Sequence, residues 1–192
     1  IVDALANATS FEYDAEGNLA TAVDPLGNKT LRSYDTVSRL TGLTDANGKS
    51  TRYSYDVLNR VTQIEDAISG LTNFSYDSNG NLLSVTDAKN QKTSYTYDAM
   101  DRLETRTDPL LRVERYIYDL NGNLKTFTDR KGQVTTFTYD SFDRRSGSSF
   151  ADGSNTAFIY DTVGKLTRLT DSISGDIEFG YEFLLDRLVK ET

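Results

Sequence analysis

Bulky residues and small polar residues alternate in short runs along this chain. Thr72, Phe74 and Tyr76 are separated by Asn73 and Ser75, and the same order returns at Thr93, Tyr95, Tyr97 and at Thr135, Phe137, Tyr139. A period of two predicts strands that carry a ladder of aromatic side chains on one face, substantially buried between adjacent strands. A second kind of run places apolar residues three apart, as in Leu40 and Leu43, Leu82 and Val85, and Leu124 and Phe127. Positions three apart lie on opposite faces of a regular strand unless a β-bulge intervenes, and the sequence leaves both arrangements open. Runs of about six or seven residues are too short for stable helices, and turn-forming residues separate them, so hairpins are expected.

The runs recur with a fixed step. A Tyr-Asp pair stands at Tyr13-Asp14, Tyr34-Asp35, Tyr55-Asp56, Tyr76-Asp77, Tyr97-Asp98, Tyr118-Asp119, Tyr139-Asp140 and Tyr160-Asp161, and a ninth copy reads Tyr181-Glu182; every step is 21 residues. Two places before the Tyr stand Phe11, Arg32, Tyr53, Phe74, Tyr95, Tyr116, Phe137, Phe158 and Phe179, aromatic in every copy but the second. Six places after it stand Leu19, Leu40, Val61, Leu82, Leu103, Leu124, Arg145 and Leu166. Just before that column comes a Gly-Asn pair, as at Gly80-Asn81, or an x-Arg pair, as at Asn59-Arg60 and Asp101-Arg102. Eleven places after the Tyr, an Asp opens a second turn at Asp24, Asp45, Asp66, Asp87, Asp108, Asp129 and Asp171.

Each unit therefore reads as one β-hairpin with two turns. In both, Asp or Asn accepts from a nearby backbone amide while Gly or Asn supplies positive φ. Nine hairpins give about eighteen strands, on the order of 85 Å if laid flat at roughly 4.8 Å each. Open twisted sheets rarely exceed about ten strands without curling, so the expected fold is all-β, a curved or spiral antiparallel sheet. Asp3 falls in the Asp column of an otherwise missing copy and Glu191-Thr192 just before that column in the last. Residues 1–192 are accordingly expected to be a single array of nine units cut from a longer one at both ends. The last copy has one extra residue, since Leu188 is seven rather than six places after Tyr181. In the seventh copy Arg145 replaces Leu, Gly147-Ser148-Ser149 fills a strand, and Phe150 takes the Asp column with Asp152-Gly153 behind it. That stretch is expected to carry its turn two residues late and to form a weak joint or bend.

Composition narrows the chemistry. The chain has no His, Cys or Trp, which removes Ser-His and Cys-His nucleophile pairs, imidazole bases, thiolate metal sites and disulfides. Its net charge of −8, with both signs interspersed, argues against nucleic acid as a partner, and no apolar run approaches the roughly 20 residues that a membrane-spanning helix needs, so no membrane insertion is expected.

The motif Tyr76-Asp77-Ser78-Asn79-Gly80-Asn81-Leu82, its copy from Tyr118 to Leu124, and the Thr-Asp-x-x-Gly that follows from Thr128 to Gly132 resemble the YD-repeat, or Rhs-repeat, family over almost the whole chain. The resemblance implies a hairpin ribbon wound into a hollow shell. In bacterial Rhs polymorphic toxins and Tc toxin subunits such a shell encloses a toxic C-terminal segment, and in animal teneurins a related barrel serves adhesion. The expectation is a structural wall module of a secreted or cell-surface bacterial protein, not an enzyme. Its partners would be flanking repeats of the same chain and an encapsulated toxin segment. The alternative is an adhesive surface that binds glycans or cell-surface protein.

Sharper sites give way to plainer readings. Asp77 to Asn81 and Asp119 to Asn123 space oxygen ligands as calcium loops do, yet lack a distal bidentate carboxylate and read as Asx-stabilised turns. Asp14 with Glu16, or Asp176 with Glu178, could form a glycosidase pair, but acids recur in every turn. Asp24-Pro25-Leu26-Gly27 and Asp108-Pro109-Leu110 look like the family's DPxG motif while occupying the ordinary turn column. Arg60, Arg102, Arg106, Arg112 and Arg115 are interleaved with acids and read as a solvated face. The expectation is no catalytic, metal or cofactor residue, with the repeated Tyr and Asp positions serving structure.

Overall fold

The computed structural model describes residues 1–5 and 7–181, together with the backbone of residues 188–191. It falls into two compact units, Ile1–Ser94 and Tyr95–Thr192. The described residues contain strands and turns and no helix.

The first unit holds β1 (Ser10–Tyr13), β2 (Leu19–Val23), β3 (Lys29–Tyr34), β4 (Leu40–Thr44), β5 (Ser50–Tyr55), β6 (Val61–Glu65), β7 (Leu71–Tyr76), β8 (Leu82–Thr86) and the start of β9 (Lys92–Tyr97). The second continues from the end of β9 through β10 (Leu103–Thr107), β11 (Val113–Tyr118), β12 (Leu124–Thr128), β13 (Val134–Tyr139), β14 (Arg145–Ser149), β15 (Asn155–Tyr160), β16 (Leu166–Asp171), β17 (Gly175–Tyr181) and β18 (Leu188–Glu191). Within each unit consecutive strands pair antiparallel, as in β7 with β8 and β11 with β12. This is the expected all-β hairpin array.

A β-bulge explains the apolar residues three apart. Ser75 faces Ser84 but Tyr76 faces Leu82, so Leu83 is an extra residue on β8; Val85 faces Phe74. Leu82 and Val85 thus share the face that carries Phe74 and Tyr76. The same shift recurs at Ser33/Tyr34, Ser54/Tyr55, Ile117/Tyr118, Thr138/Tyr139 and Ile159/Tyr160. It keeps one face of most described hairpins largely apolar, with Arg32, Arg106 and Arg145 as exceptions, while the other face pairs hydroxyls such as Ser75 with Ser84 and Thr96 with Thr105.

Both turns have one construction, a type I turn followed by a residue of positive φ. In the first, Gly80 N–H donates to the Asp77 carbonyl (3.3 Å) and Asp77 N–H to Asn81 O (3.0 Å), with φ of 97° at Gly80. Leu111 fills the positive-φ place of the β10–β11 turn at 61°, a conformation that disfavours a side chain.

Two expectations need correction. The aromatic column is half-buried rather than enclosed, and no hydrophobic residue among those described is fully buried. A single sheet layer covers each ring only from its neighbours along and across the strands. The seventh copy, moreover, does not carry its turn late, and its strands are not interrupted. Phe150 N–H donates to Ser154 O (2.9 Å) and Gly153 N–H to Phe150 O (3.0 Å), so Phe150 performs the backbone role of the missing Asp in register. Strands β13, β14 and β15 pair as elsewhere, and the Arg145 guanidinium covers the Phe137 ring at 4.4 Å. In the ninth copy Leu188 faces Tyr181, so the extra residue belongs to 182–187, outside the described residues along with Glu182 and Thr192.

Candidate functional site: the inter-repeat staple

The repeated tyrosines reach out of their own hairpin. In the first unit the hydroxyl of Tyr34 donates to the Leu19 carbonyl (3.0 Å), Tyr55 to Leu40 (2.8 Å) and Tyr76 to Val61 (2.8 Å). In the second, Tyr118 donates to Leu103 (3.0 Å), while Tyr139, Tyr160 and Tyr181 donate to Leu124, Arg145 and Leu166, each at 2.9 Å. Each acceptor lies 15 residues upstream, at the bulge of the preceding hairpin, where the backbone ladder is interrupted. A neutral hydrogen bond of this kind contributes about 0.5–1.5 kcal/mol, and it recurs at these seven tyrosines.

The aspartate after each tyrosine works within its own turn. Asp77 Oδ1 accepts from the amides of Asn79 (2.9 Å) and Asn81 (2.8 Å), and Oδ2 accepts from Asn81 Nδ2 (3.0 Å). Asp119 holds Asn121 and Asn123 in the same way. The oxygens of these two candidate calcium loops are therefore committed to the turn. Asp14 is bound likewise by Asn18, Asp24 by Leu26 and Asn28, and Asp176 by Arg168.

The residue five places after the tyrosine joins turn to turn. Arg39, Arg60, Arg102 and Arg144 each donate from Nε to the aspartate of their own turn, Asp35, Asp56, Asp98 and Asp140, at 2.6 to 2.8 Å. Each guanidinium also lies over the tyrosine ring of the next hairpin, at 5.0 Å for Tyr55, 4.6 Å for Tyr76 and Tyr118, and 4.4 Å for Tyr160. Arg60 Nη1 continues to the Asp77 carbonyl (2.9 Å). Where Asn123 takes this place, its Nδ2 donates to Asp143 of the next turn (2.7 Å). Electrostatics follow the contacts: the Arg144 side chain holds the Asp140 carboxyl below its ordinary range, and the Arg60 amide is the main cause of the same shift at Asp56. Reading Arg60 and Arg102 as a solvated face was thus incomplete, because each is sandwiched between an aspartate and an aromatic ring. The x-Arg pairs in the sequence carried this signal.

A second group breaks the repeat, and its Glu114 and Arg130 were not singled out from sequence. Glu114 stands alone in a column otherwise filled by Thr9, Thr30, Thr51, Thr72, Thr93, Thr135 and Thr156 up to the eighth copy, and Arg106 stands in an apolar column with Leu43, Ile64, Val85 and Phe127. Asp108 is 4% and Glu114 9% exposed. Asp108 Oδ2 accepts from Arg112 Nε (2.8 Å) and Arg130 Nη1 (3.5 Å). Glu114 accepts from Arg130 Nε (2.7 Å), Arg106 Nη1 (3.3 Å) and the Tyr116 hydroxyl (3.2 Å). The Arg112 side chain, first among several donors, draws the Asp108 carboxyl down to about 2. Arg106 and Arg112 are thereby committed to ion pairs, whereas Arg115 is exposed as expected. Arg130 ties the β12–β13 turn to the hairpin before it. Asp108-Pro109 is an ordinary turn opening, with Leu110 N–H bonded to Asp108 Oδ1 (2.9 Å).

The model of the RHS Repeat family matches residues 34–67, 76–112 and 118–154, more than half of the chain. This chain belongs to the RHS repeat family. Among solved structures, the fold is similar to that of TcdB2-TccC3-TEV, with a TM-score of 0.74 at 18% identity over 95% of this chain and 11% of that one. The Photorhabdus luminescens Tc holotoxin pore matches with a TM-score of 0.69 at 18% identity over 84% of this chain and 10% of that one. A form of TcdB2-TccC3 without its hypervariable C-terminal region matches with a TM-score of 0.62 at 17% identity over 95% of this chain and 13% of that one. This RHS repeat array spans about a tenth of the length of the chains it matches, and the likeness is one of fold. Comparison with curated proteins found no match.

Proposed function

We propose that this RHS repeat array is a structural module, a stretch of wall in a larger secreted bacterial shell that encloses a toxin-type C-terminal segment. One observation carries the reading: the recurring chemistry of the units is spent on closing their own turns and on holding neighbouring units together. Seven of the tyrosine hydroxyls, the turn aspartates and the arginines that follow them have partners inside the array, which suits a rigid partition better than a site that must turn toward a substrate. The shared fold with TcdB2-TccC3 assemblies supports the same role. Flanking repeats of a longer chain would be its first partners and the enclosed segment its second. The Tyr and Asp positions of the repeat are structural in this reading, and the module performs no catalysis of its own.

Electron microscopy of the intact parent protein tests the proposal. A closed hollow particle with this segment in its wall is expected. An extended fibre, or micromolar binding of calcium or of a glycan by the purified chain in calorimetry, would overturn it in favour of an adhesive or ligand-binding surface.

A further inference from the structure

Arg32, Arg106 and Arg145 interrupt the apolar face of their hairpins, and the fold provides for two of them. Arg106 Nη1 donates to Glu114 (3.3 Å), and the Arg145 guanidinium lies over the Phe137 ring at 4.4 Å while its Nε donates to Ser148 Oγ (3.0 Å). Arg32 is left over. Its Nη1 is buried without a hydrogen-bond partner, alone among the buried side-chain nitrogens and oxygens of the described residues, although the residue as a whole stays partly exposed. An unpaired buried donor on a cation costs stability, and Phe or Tyr fills this place in every other copy. A break in the repeat that nothing inside the fold offsets marks a place kept for something outside it.

The repeat itself shows what suits that place. Four units further on, Tyr116 stands in the column of Arg32, Glu114 in that of Thr30 and Arg106 in that of Ala22. There the Tyr116 hydroxyl donates to Glu114 (3.2 Å), and Arg106 pairs with the same carboxylate across the strands. A side chain in the Arg32 column therefore reaches a carboxylate held in the Thr30 column. Around Arg32 the chain supplies none. Thr30 faces Ala22, and the copies that follow carry Leu43, Ile64 and Val85 in the Ala22 column, so the small side chain leaves room beside the guanidinium. Exposed Phe11 faces Ala22 from the neighbouring strand, and Leu43 faces Arg32.

We infer that Arg32 and the gap over Ala22 form a subsite for an acidic side chain of a polypeptide laid on this face. The carboxylate gives the guanidinium its acceptor, and an apolar neighbour in the same peptide packs on Phe11 and Leu43. A free anion is a poorer occupant, because a single cation on an apolar face holds a small ion weakly, whereas a peptide adds buried apolar area to the charge-assisted bond. The inference goes beyond the wall reading and is independent of whether the parent closes into a shell.

Nuclear magnetic resonance of the full chain, isotope-labelled in its arginine side chains, tests it; the Arg32 Nε–H signal is assigned by its loss in Arg32→Met. The capped peptide Gly-Val-Glu-Val-Gly, its Gln counterpart and acetate are each titrated to about 10 mM, which covers weak binding. The expected result is a saturating shift of the Arg32 signal with the Glu peptide, at an affinity about tenfold above those of the Gln peptide and of acetate. Ala22→Leu, which restores the usual bulk of the column, should weaken the Glu peptide about tenfold without lowering the urea midpoint. Thr30→Glu places a carboxylate where Glu114 stands and should shift the Arg32 signal by itself and exclude the peptide. No shift with the Glu peptide, equal affinity for the Gln peptide, acetate bound as tightly, or binding unchanged in the Ala22→Leu or Thr30→Glu chain would overturn the subsite. None of these results bears on the shape of the parent particle, so the subsite and the wall fail separately.

Discussion

Replacing Tyr118 by Phe removes one hydroxyl and leaves the ring in place. The lost contact is the 3.0 Å bond to the Leu103 carbonyl in the preceding hairpin, while the Arg102 guanidinium keeps its position 4.6 Å from the ring centre. A half-buried neutral hydrogen bond is worth about 0.5–1.5 kcal/mol, and water can reach a half-buried carbonyl once the hydroxyl has gone, so a loss of about 1 kcal/mol is expected. Tyr118→Leu should lose a further amount of about 0.5–1 kcal/mol, because the cation then lacks an aromatic face. The two contributions separate in double-mutant cycles with Arg102→Met: coupling to the ring is expected, and coupling to the hydroxyl should be near zero. Urea titration gives the midpoints. Amide exchange shows whether the loss stays at the junction between the two hairpins, as nearest-neighbour coupling in a repeat array requires. Tyr13→Phe is the control, since that side chain is 62% exposed. If Tyr118→Phe lowers stability no more than Tyr13→Phe does, the staple is not what joins the units.

Acid should weaken the second unit in a defined window. The Asp108 carboxyl is depressed from its ordinary 3.8 to about 2, so its contribution is complete above about pH 4 and is lost as pH falls through 2; a pH series of urea midpoints should decline there, and Asp108→Asn should flatten the decline. Leu111→Gly should raise stability by about 0.5–1 kcal/mol, because the positive-φ strain is relieved and the leucine is 82% exposed; a lower urea midpoint would show that Leu111 makes contacts in the free chain.

The sequence determined the strands, the turns and their step, because each depends on nearest neighbours. Period-two alternation places Thr72, Phe74 and Tyr76 on one face whatever lies beside them, and Asp77 closes its turn with residues two and four places on. For that reason the hairpin array and the family were legible from residue spacing. What only the tertiary structure decided lies across hairpins. Leu82 and Val85 share a face because the partner strand slips by one residue at Tyr76, a register that appears only when the two strands meet. Tyr118 finds Leu103, and Arg102 finds Tyr118, only once successive hairpins are side by side. Glu114 gains its partners only when three arginines from neighbouring strands and turns close around it and Asp108. Phe150 kept its turn in register because the backbone bonds of that turn do not require a carboxylate. The aromatic column was visible in the sequence, but its half-burial was not: alternation says which face a ring is on, and only the presence or absence of a second layer says how far water reaches it.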